Sequence, residues 1–250
     1  MNGLVLNFVP AAYISARIPY SWQSALSYPI PPPSAFLGMA AGAVMRAERI
    51  SEEEALTSIN SGRLSVHARL ISPCRVKSHL LILVTKFRVP KGRRPTDALG
   101  RQFVFAQEYE TVFLSPEEKI LQRLFTAFRF APVYFGDSES LVTVVRQNRI
   151  KFKCESDQTI VKTPYYTPLR AFNNISTQGT VYYVHETLQK KVMNKLEKKS
   201  RQSQYPLFEY IFPVNGNPSG YQPSELEGEI NPDFEVYTWE ENAIIRKREK

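Results

Sequence analysis

The sequence predicts an α+β protein, and three observations carry that reading. Residues 4–9, LVLNFV, are apolar on both alternating sets of positions, as in a central strand. Residues 34–47, SAFLGMAAGAVMRA, read as a helix that is apolar on every side and therefore buried. Over the first 150 residues the periodic segments run strand, helices, strand, strand, helix, strand. That βαββαβ order is the ferredoxin-like, RRM-type plan, here with a long basic β-hairpin added. Residues 151–250 follow as a smaller, irregular, β-rich C-terminal part.

The elements are justified in order. Tyr13–Ile18 continues the first strand beyond Pro10, and Arg17 is the only charge before Arg46. Pro31, Pro32 and Pro33 hold the run-in extended, because each fixes φ and biases its predecessor away from the α region. Ser34 is placed to cap the buried helix, and Gly38, Ala40, Ala41 and Gly42 permit close backbone approach. The N–H groups at that helix start suit a phosphate. Ser51-Glu52-Glu53-Glu54 is a capping box opening a short helix that stops at Gly62 as its C′ residue. From Arg63 to Ile71, Leu64, Val66, Ala68 and Leu70 face the core, while His67 lies with Arg63 and Arg69 on a mostly basic face.

His79–Arg88 and Gln102–Phe113 read as the two strands of the hairpin, with Phe103, Phe105, Tyr109 and Phe113 sharing a face and Glu108 and Glu110 opposite. The intervening RVPKGRRPTDALGR is a mobile tip, because it holds Pro90, Gly92, Pro95 and Gly100. It also carries Arg88, Lys91, Arg93, Arg94 and Arg101 against the single acid Asp97. Ser115-Pro116-Glu117-Glu118 reads as a second capping box, and Leu121, Leu124, Phe125 and Phe128 as the apolar stripe of its helix. Beyond residue 150, Thr180–His185 reads as a strand, Glu186–Arg201 as a lysine-rich helix and Pro213–Pro232 as a loop. Phe234, Val236, Tyr237 and Trp239 dock the C-terminal segment back on the molecule.

Charge narrows the function classes. The net charge is +8, and from Ala55 to Thr96 the chain carries nine Lys and Arg and no acid. Such a window suits a polyanion. Cys74 and Cys154 are far apart and His67, His79 and His185 are unclustered, so neither a metal nor another cofactor is expected. With no secretory signal pattern and no run of about eighteen apolar residues, a cytoplasmic protein without a membrane span is expected. GRQFVF at Gly100 mimics only part of the RRM aromatic signature, so base stacking on the sheet face is not expected.

The stretch YPIPPPSAFLGMAAGAV resembles the N-terminal block of the Cas-five family, RAMP-type subunits of the CRISPR surveillance complex Cascade. PVYFGDSESLVTV, residues 132–144, is similar to that family's glycine-bearing segment, and the basic hairpin lies where the family carries its thumb. The overall look is most like the archaeal type I-A branch. The resemblance implies a non-catalytic subunit that holds the 5′ handle of the CRISPR RNA, caps the backbone filament and contacts the large subunit. Target DNA would be met only through the complex. Carried over, Tyr20, Ser34, Ala35 and Gly38 border the handle, Arg88, Lys91, Arg93, Arg94 and Arg101 form the thumb, and Gly136 of the glycine-bearing segment is a further RNA-binding residue. Charge and position add Arg17, Arg75, Lys77, His79 and Lys86 as phosphate contacts.

One branch of that family cleaves precursor CRISPR RNA without a metal, which gives an alternative. Such cleavage needs one group to deprotonate a 2′-OH and another to protonate the leaving oxygen. His67, His79, His185, Tyr165, Tyr166 and Lys162 are the residue types available, and no spacing ties them together.

Overall fold

The computed structural model describes residues 1–16, 18, 24–84, 96–135, 140–155, 159–186, 207–217 and 219–248. Its axis is β1 (Asn2–Pro10), whose Leu4, Leu6 and Phe8 are buried on one face and Val5 on the other. There follow β2 (Ser24–Ala25), α1 (Pro33–Glu48), α2 (Glu52–Ser61), β3 (Ser65–Leu70), β4 (Cys74–Val84) and β5 (Thr96–Ala106). Next come β6 (Tyr109–Ser115), α3 (Glu118–Phe130), β7 (Val133–Tyr134) and β8 (Leu141–Lys151). The central sheet has the order β3-β6-β1-β8-β7, with every neighbouring pair antiparallel. Helices α1 and α2 therefore connect β1 to β3 past the intervening β6, and α3 connects β6 to β8 past β1.

The C-terminal strands are β9 (Lys153–Glu155), β10 (Ile160–Thr163), β11 (Thr167–Pro168), β12 (Phe172–Ile175) and β13 (Thr180–Val184). They continue as β14 (Phe208–Phe212), β15 (Val214–Asn217), β16 (Gly220–Pro223), β17 (Leu226–Ile230), β18 (Phe234–Trp239) and β19 (Asn242–Lys247). They form three small sheets, β10-β17-β12, β11-β14-β13 and β19-β18-β9, while β15 and β16 join the hairpin in a sheet of order β15-β16-β4-β5-β2. The architecture is α+β with mostly antiparallel strands.

Two cores sandwich the central sheet. On the helix side Phe8 meets Phe36, Tyr109 and Phe135 at centroid separations of 5.4–5.8 Å. Arg123 on α3 clamps both oxygens of Glu48 on α1 at 2.8 and 2.6 Å, and this hydrogen bonding lowers the Glu48 carboxyl pKa. Tyr166, Val184, Tyr210, Phe212 and Val214 also enter this core, so residues on both sides of position 150 build it. On the opposite side Val5, Val112 and Leu114 pack with Phe152, Tyr165, Tyr237, Trp239 and Ile244. Trp239 sits edge-on to Phe152 at 4.6 Å and 5.5 Å from Tyr165. The docking of Phe234, Val236, Tyr237 and Trp239 occurs as expected, and all four are buried.

Several expectations are corrected. The hairpin pairs β4 with β5, so it begins at Cys74 and ends at Ala106. Gln102–Phe113 is not one strand: the chain leaves the hairpin at Gln107 and Glu108, where Glu108 accepts from Ile71 N–H through its carbonyl and from Asn7 Nδ2 through its carboxylate. Phe103 and Phe105 thus stay on the hairpin while Tyr109 and Phe113 enter the core. Tyr13–Ile18 does not extend β1; Ile14 bridges to Val104 of β5. Pro213–Pro232 is mostly strand rather than loop, and Gly216 allows its hairpin to close, since a Cβ there would stand 2.2 Å from the Gly220 carbonyl oxygen.

The helix ends differ too. Helix α1 starts at Pro33 with Pro32 as N-cap and no side-chain cap, and Gly38 is exposed, so one side of this helix is open. The Ser51–Glu54 capping box forms as expected. Gly62 has φ −71°, and it is glycine for space, because a Cβ would meet Ile120 at 2.9 Å. Ser115 does not cap α3; its hydroxyl donates to the Gly62 carbonyl at 2.7 Å and accepts from Glu117 N–H, tying the end of α2 to β6. The expected stripe on α3 holds, with Leu121, Leu124 and Phe128 buried. The expected helix 186–201 lies outside the described residues from 187 onward. Among the described residues no helix is long and apolar enough to cross a membrane.

Candidate nucleic-acid interface

The site is built by register. In the β4–β5 ladder Arg75 stands opposite Phe105, Lys77 opposite Phe103 and His79 opposite Arg101. Directly opposed residues of an antiparallel pair point to the same face, and alternate residues share it. Arg75, Lys77, His79 and Arg101 therefore form one face with Phe103 and Phe105. The other face, Cys74, Val76, Val104 and Ala106, is buried and anchors the hairpin root in the core.

Tyr13 completes the open face, edge-on to Phe103 at 4.5 Å and to Phe105 at 5.9 Å. The cations are stationed over these rings: Lys77 Nζ is 5.8 Å from the Phe105 centroid and Arg101 Cζ 5.3 Å from that of Phe103. His79 meets Phe103 at 5.4 Å. Arg101 Nε donates to Ser15 Oγ at 3.0 Å, which fixes the guanidinium across the strand. Arg75, Lys77 and His79 are exposed, whereas Phe103 is buried beneath them. A cationic surface over these rings can hold a phosphate backbone, and the half-buried Tyr13 and Phe105 can offer ring edges to unstacked bases.

The other expected residues fall elsewhere. Arg17, Tyr20, Lys86, Arg88, Lys91, Arg93, Arg94 and Gly136 lie outside the described residues. Ser34 and Ala35 are half-buried at the start of α1. The Ser34 N–H donates to the His185 carbonyl at 3.2 Å and the Ala35 N–H to that of Pro32 at 3.0 Å, so the donors expected to greet a phosphate there are engaged. Sequence reasoning missed Tyr13, Phe103 and Phe105 as members of the basic face. The signal was the odd-numbered alternation of cations in 75–79 and of rings in 103–105, which register alone superimposes.

The candidate cleavage residues are dispersed. His67 is buried on β3, and burial, with the nearby Arg246 charge, lowers its pKa to about 3, so the ring is neutral. This corrects its expected place on an exposed basic face. Tyr165 and Tyr166 are fully buried and burial raises their hydroxyl pKa values. Tyr165 OH bonds Glu110, whose Oε1 lies 2.8 Å from Arg69 Nε. Lys162 pairs with Glu225 at 2.7 Å. Cys74 is buried and Cys154 exposed, and among the described residues no three or more His, Cys, Asp or Glu gather to hold a metal.

No protein-family model matches the chain, and no curated protein matches it by sequence. Solved structures do. A CRISPR protein from Archaeoglobus fulgidus superposes with a TM-score of 0.64 and 18% identity, covering 100% of both chains. A chain of a CRISPR RNA-guided surveillance complex gives a TM-score of 0.45 at 15% identity over 91% of this chain and 90% of its own. A chain of a type III-B Cmr-beta complex bound to cognate target RNA gives 0.44 at 10% over 89% and 86%. The fold is thus similar, end to end, to that of an archaeal CRISPR protein.

Proposed function

We propose that this chain is a non-catalytic RNA-binding and assembly subunit of a CRISPR effector complex, of the Cas-five kind and closest to the type I-A branch. In this reading the strand order β3-β6-β1-β8 is the ferredoxin-like RAMP core, and β4–β5 is the root of the thumb. The subunit holds the 5′ handle of the CRISPR RNA, caps the backbone filament and touches the large subunit. The observation that carries the reading is the single face on which Arg75, Lys77, His79 and Arg101 surround Phe103 and Phe105. The four further cations of the intervening sequence, Arg88, Lys91, Arg93 and Arg94, the likeness of fold and the YPIPPPSAFLGMAAGAV block support it.

The test is a binding series with end-labelled repeat-derived RNA and an unrelated single strand, in EDTA, across salt. The expected result is intact RNA, a preference for the repeat-derived strand, and affinity that falls steeply with salt. A discrete cut lost in His79→Ala or His185→Ala would instead establish the processing nuclease. Equal affinity for both strands would remove the handle assignment.

A further inference from the structure

The open face of the hairpin does not end at β4. In the β16–β4 ladder Gly220 stands opposite Arg75, and in the β15–β16 ladder Asn217 stands opposite Gly220 and Asn215 opposite Gln222. Opposed and alternate residues share a face, so Asn215, Asn217 and Gln222 extend the row of Arg75, Lys77 and His79 across two more strands. The other face of these strands holds Val214 and Tyr221, which pack into the core. Where the rows meet, a cleft of about 520 Å³ is lined by Arg75, Gln107, Gln222 and Pro73. Gly220 lines it without a side chain, because a Cβ there would stand 2.9 Å from the Cys74 carbonyl oxygen.

The polar groups of the cleft are accessible and uncommitted. Arg75, Gln107 and Gln222 are exposed, and none of the three hydrogen-bonds or pairs with another of the described residues. Asn217 is committed, its Oδ1 accepting from the Ser219 N–H at 2.9 Å and from the Ser219 hydroxyl. Among the described residues that line the cleft there is no acid to repel a phosphate. Each glutamine amide sets an acceptor beside its donors, which matches a nucleobase edge that shows a donor next to an acceptor. The single guanidinium matches one phosphate. An acidic peptide would occupy Arg75 but, being rich in acceptors, would leave both glutamine oxygens unmet.

We propose that this cleft reads one base of a single-stranded RNA. The strand lies along the basic hairpin face with a phosphate on Arg75, and the adjoining base turns into the cleft, where Gln107 and Gln222 hydrogen-bond its edge. The inference rests on the hairpin face being the RNA surface, and it divides the labour there. The cations hold the backbone whatever the sequence, and the two amides supply sequence preference. The strand must be unpaired, since a duplex already uses the Watson–Crick edges of its bases. The volume suits one nucleotide.

The test is fluorescence anisotropy of the full chain with end-labelled oligo(A), oligo(C), oligo(U) and oligo(I), the last presenting the guanine-like edge. An abasic ribose-phosphate strand of the same length and a Glu-rich peptide complete the set. At least one homopolymer is expected to bind more tightly than the abasic strand by about tenfold, the worth of two hydrogen bonds from exposed amides. Gln107→Ala/Gln222→Ala, at two exposed positions, should narrow that margin to within about twofold and leave the salt dependence as it was. Arg75→Ala should weaken every strand alike and lower the salt slope by about 0.7. Side-chain amide signals of Gln107 and Gln222 should shift with the preferred homopolymer and stay in place with the abasic strand. The inference is overturned, with the hairpin reading intact, if all strands bind equally well or if the glutamine variant keeps the native preference. If no strand binds, or if the peptide binds as tightly as RNA, the inference and the hairpin reading fall together.

Discussion

The central sheet and the hairpin sheet are both antiparallel and both carry cations, yet one is closed and the other open. Every residue of β6 is buried, with the helices on one face and Phe152, Tyr165, Tyr237 and Trp239 on the other. The one charge there, Glu110, is neutralised by Arg69 and bonded by Tyr165. On β4, Arg75, Lys77 and His79 are exposed and only the opposite face is packed. Burial thus decides what a charge is for. Inside, it must be paired and serves assembly; outside, over an aromatic floor, it remains available to a polyanion. The sealing also explains why an RRM-like use of the central sheet is closed to this chain: its own C-terminal residues occupy the face on which bases would stack.

The sharpest way to break this comparison is to unseal the central sheet. Trp239→Ala is expected to destabilise the protein by about 3–5 kcal/mol, read as a lowered denaturant midpoint, because it opens a cavity against Phe152 and Tyr165. A loss under 1 kcal/mol would mean that the cover is dispensable. Glu110→Ala comes next. It strands Arg69 and the Tyr165 hydroxyl and should cost about 2–4 kcal/mol. Glu108→Ala, at a half-buried carboxylate with one bond to Asn7, should cost about 1 kcal/mol.

His67 predicts a pH effect. Its folded pKa, about 3, lies below the unfolded value of 6.5, so the unfolded chain takes up a proton that the folded chain refuses. That contribution to stability is whole above pH 6.5 and is lost at about 1 kcal/mol per pH unit as pH falls toward 3. Urea midpoints at pH 7 and pH 5 should therefore differ more in the native protein than in His67→Leu; equal differences would refute the assignment. The smallest stability effect belongs to the open sheet. Arg75→Ala/Lys77→Ala should change stability by less than about 0.5 kcal/mol. Its affinity for RNA should nonetheless fall, and the salt slope should drop by about 1–1.5.

Much of the fold was legible locally. The two-sided apolar pattern of residues 4–9, the Ser51–Glu54 box and the stripe Leu121, Leu124, Phe128 each report on neighbours within a turn or two of chain, and each formed. The misreadings share a cause. Aromatic residues recur at odd positions on both sides of Gln107, so only strand pairing could show that Ala106 ends one sheet and Tyr109 begins another. Ser115 had the chemistry of a cap, but the Gly62 carbonyl, 53 positions away, claimed its hydroxyl. Of the candidate site, Arg75, Lys77, His79 and Arg101 could be named from charge, whereas Tyr13, Phe103 and Phe105 needed the register.

By itself the sequence determined the α+β character, the buried run of α1, the basic hairpin and the polyanion bias, because periodicity, composition and capping act over short distances along the chain. The tertiary structure decided which strands meet, that Phe152, Tyr165, Tyr237, Trp239 and Ile244 cover one face of the central sheet, and that His67 is buried and neutral. Those facts rest on contacts between residues distant along the chain, and burial and register at such separations leave no local periodic signal to read.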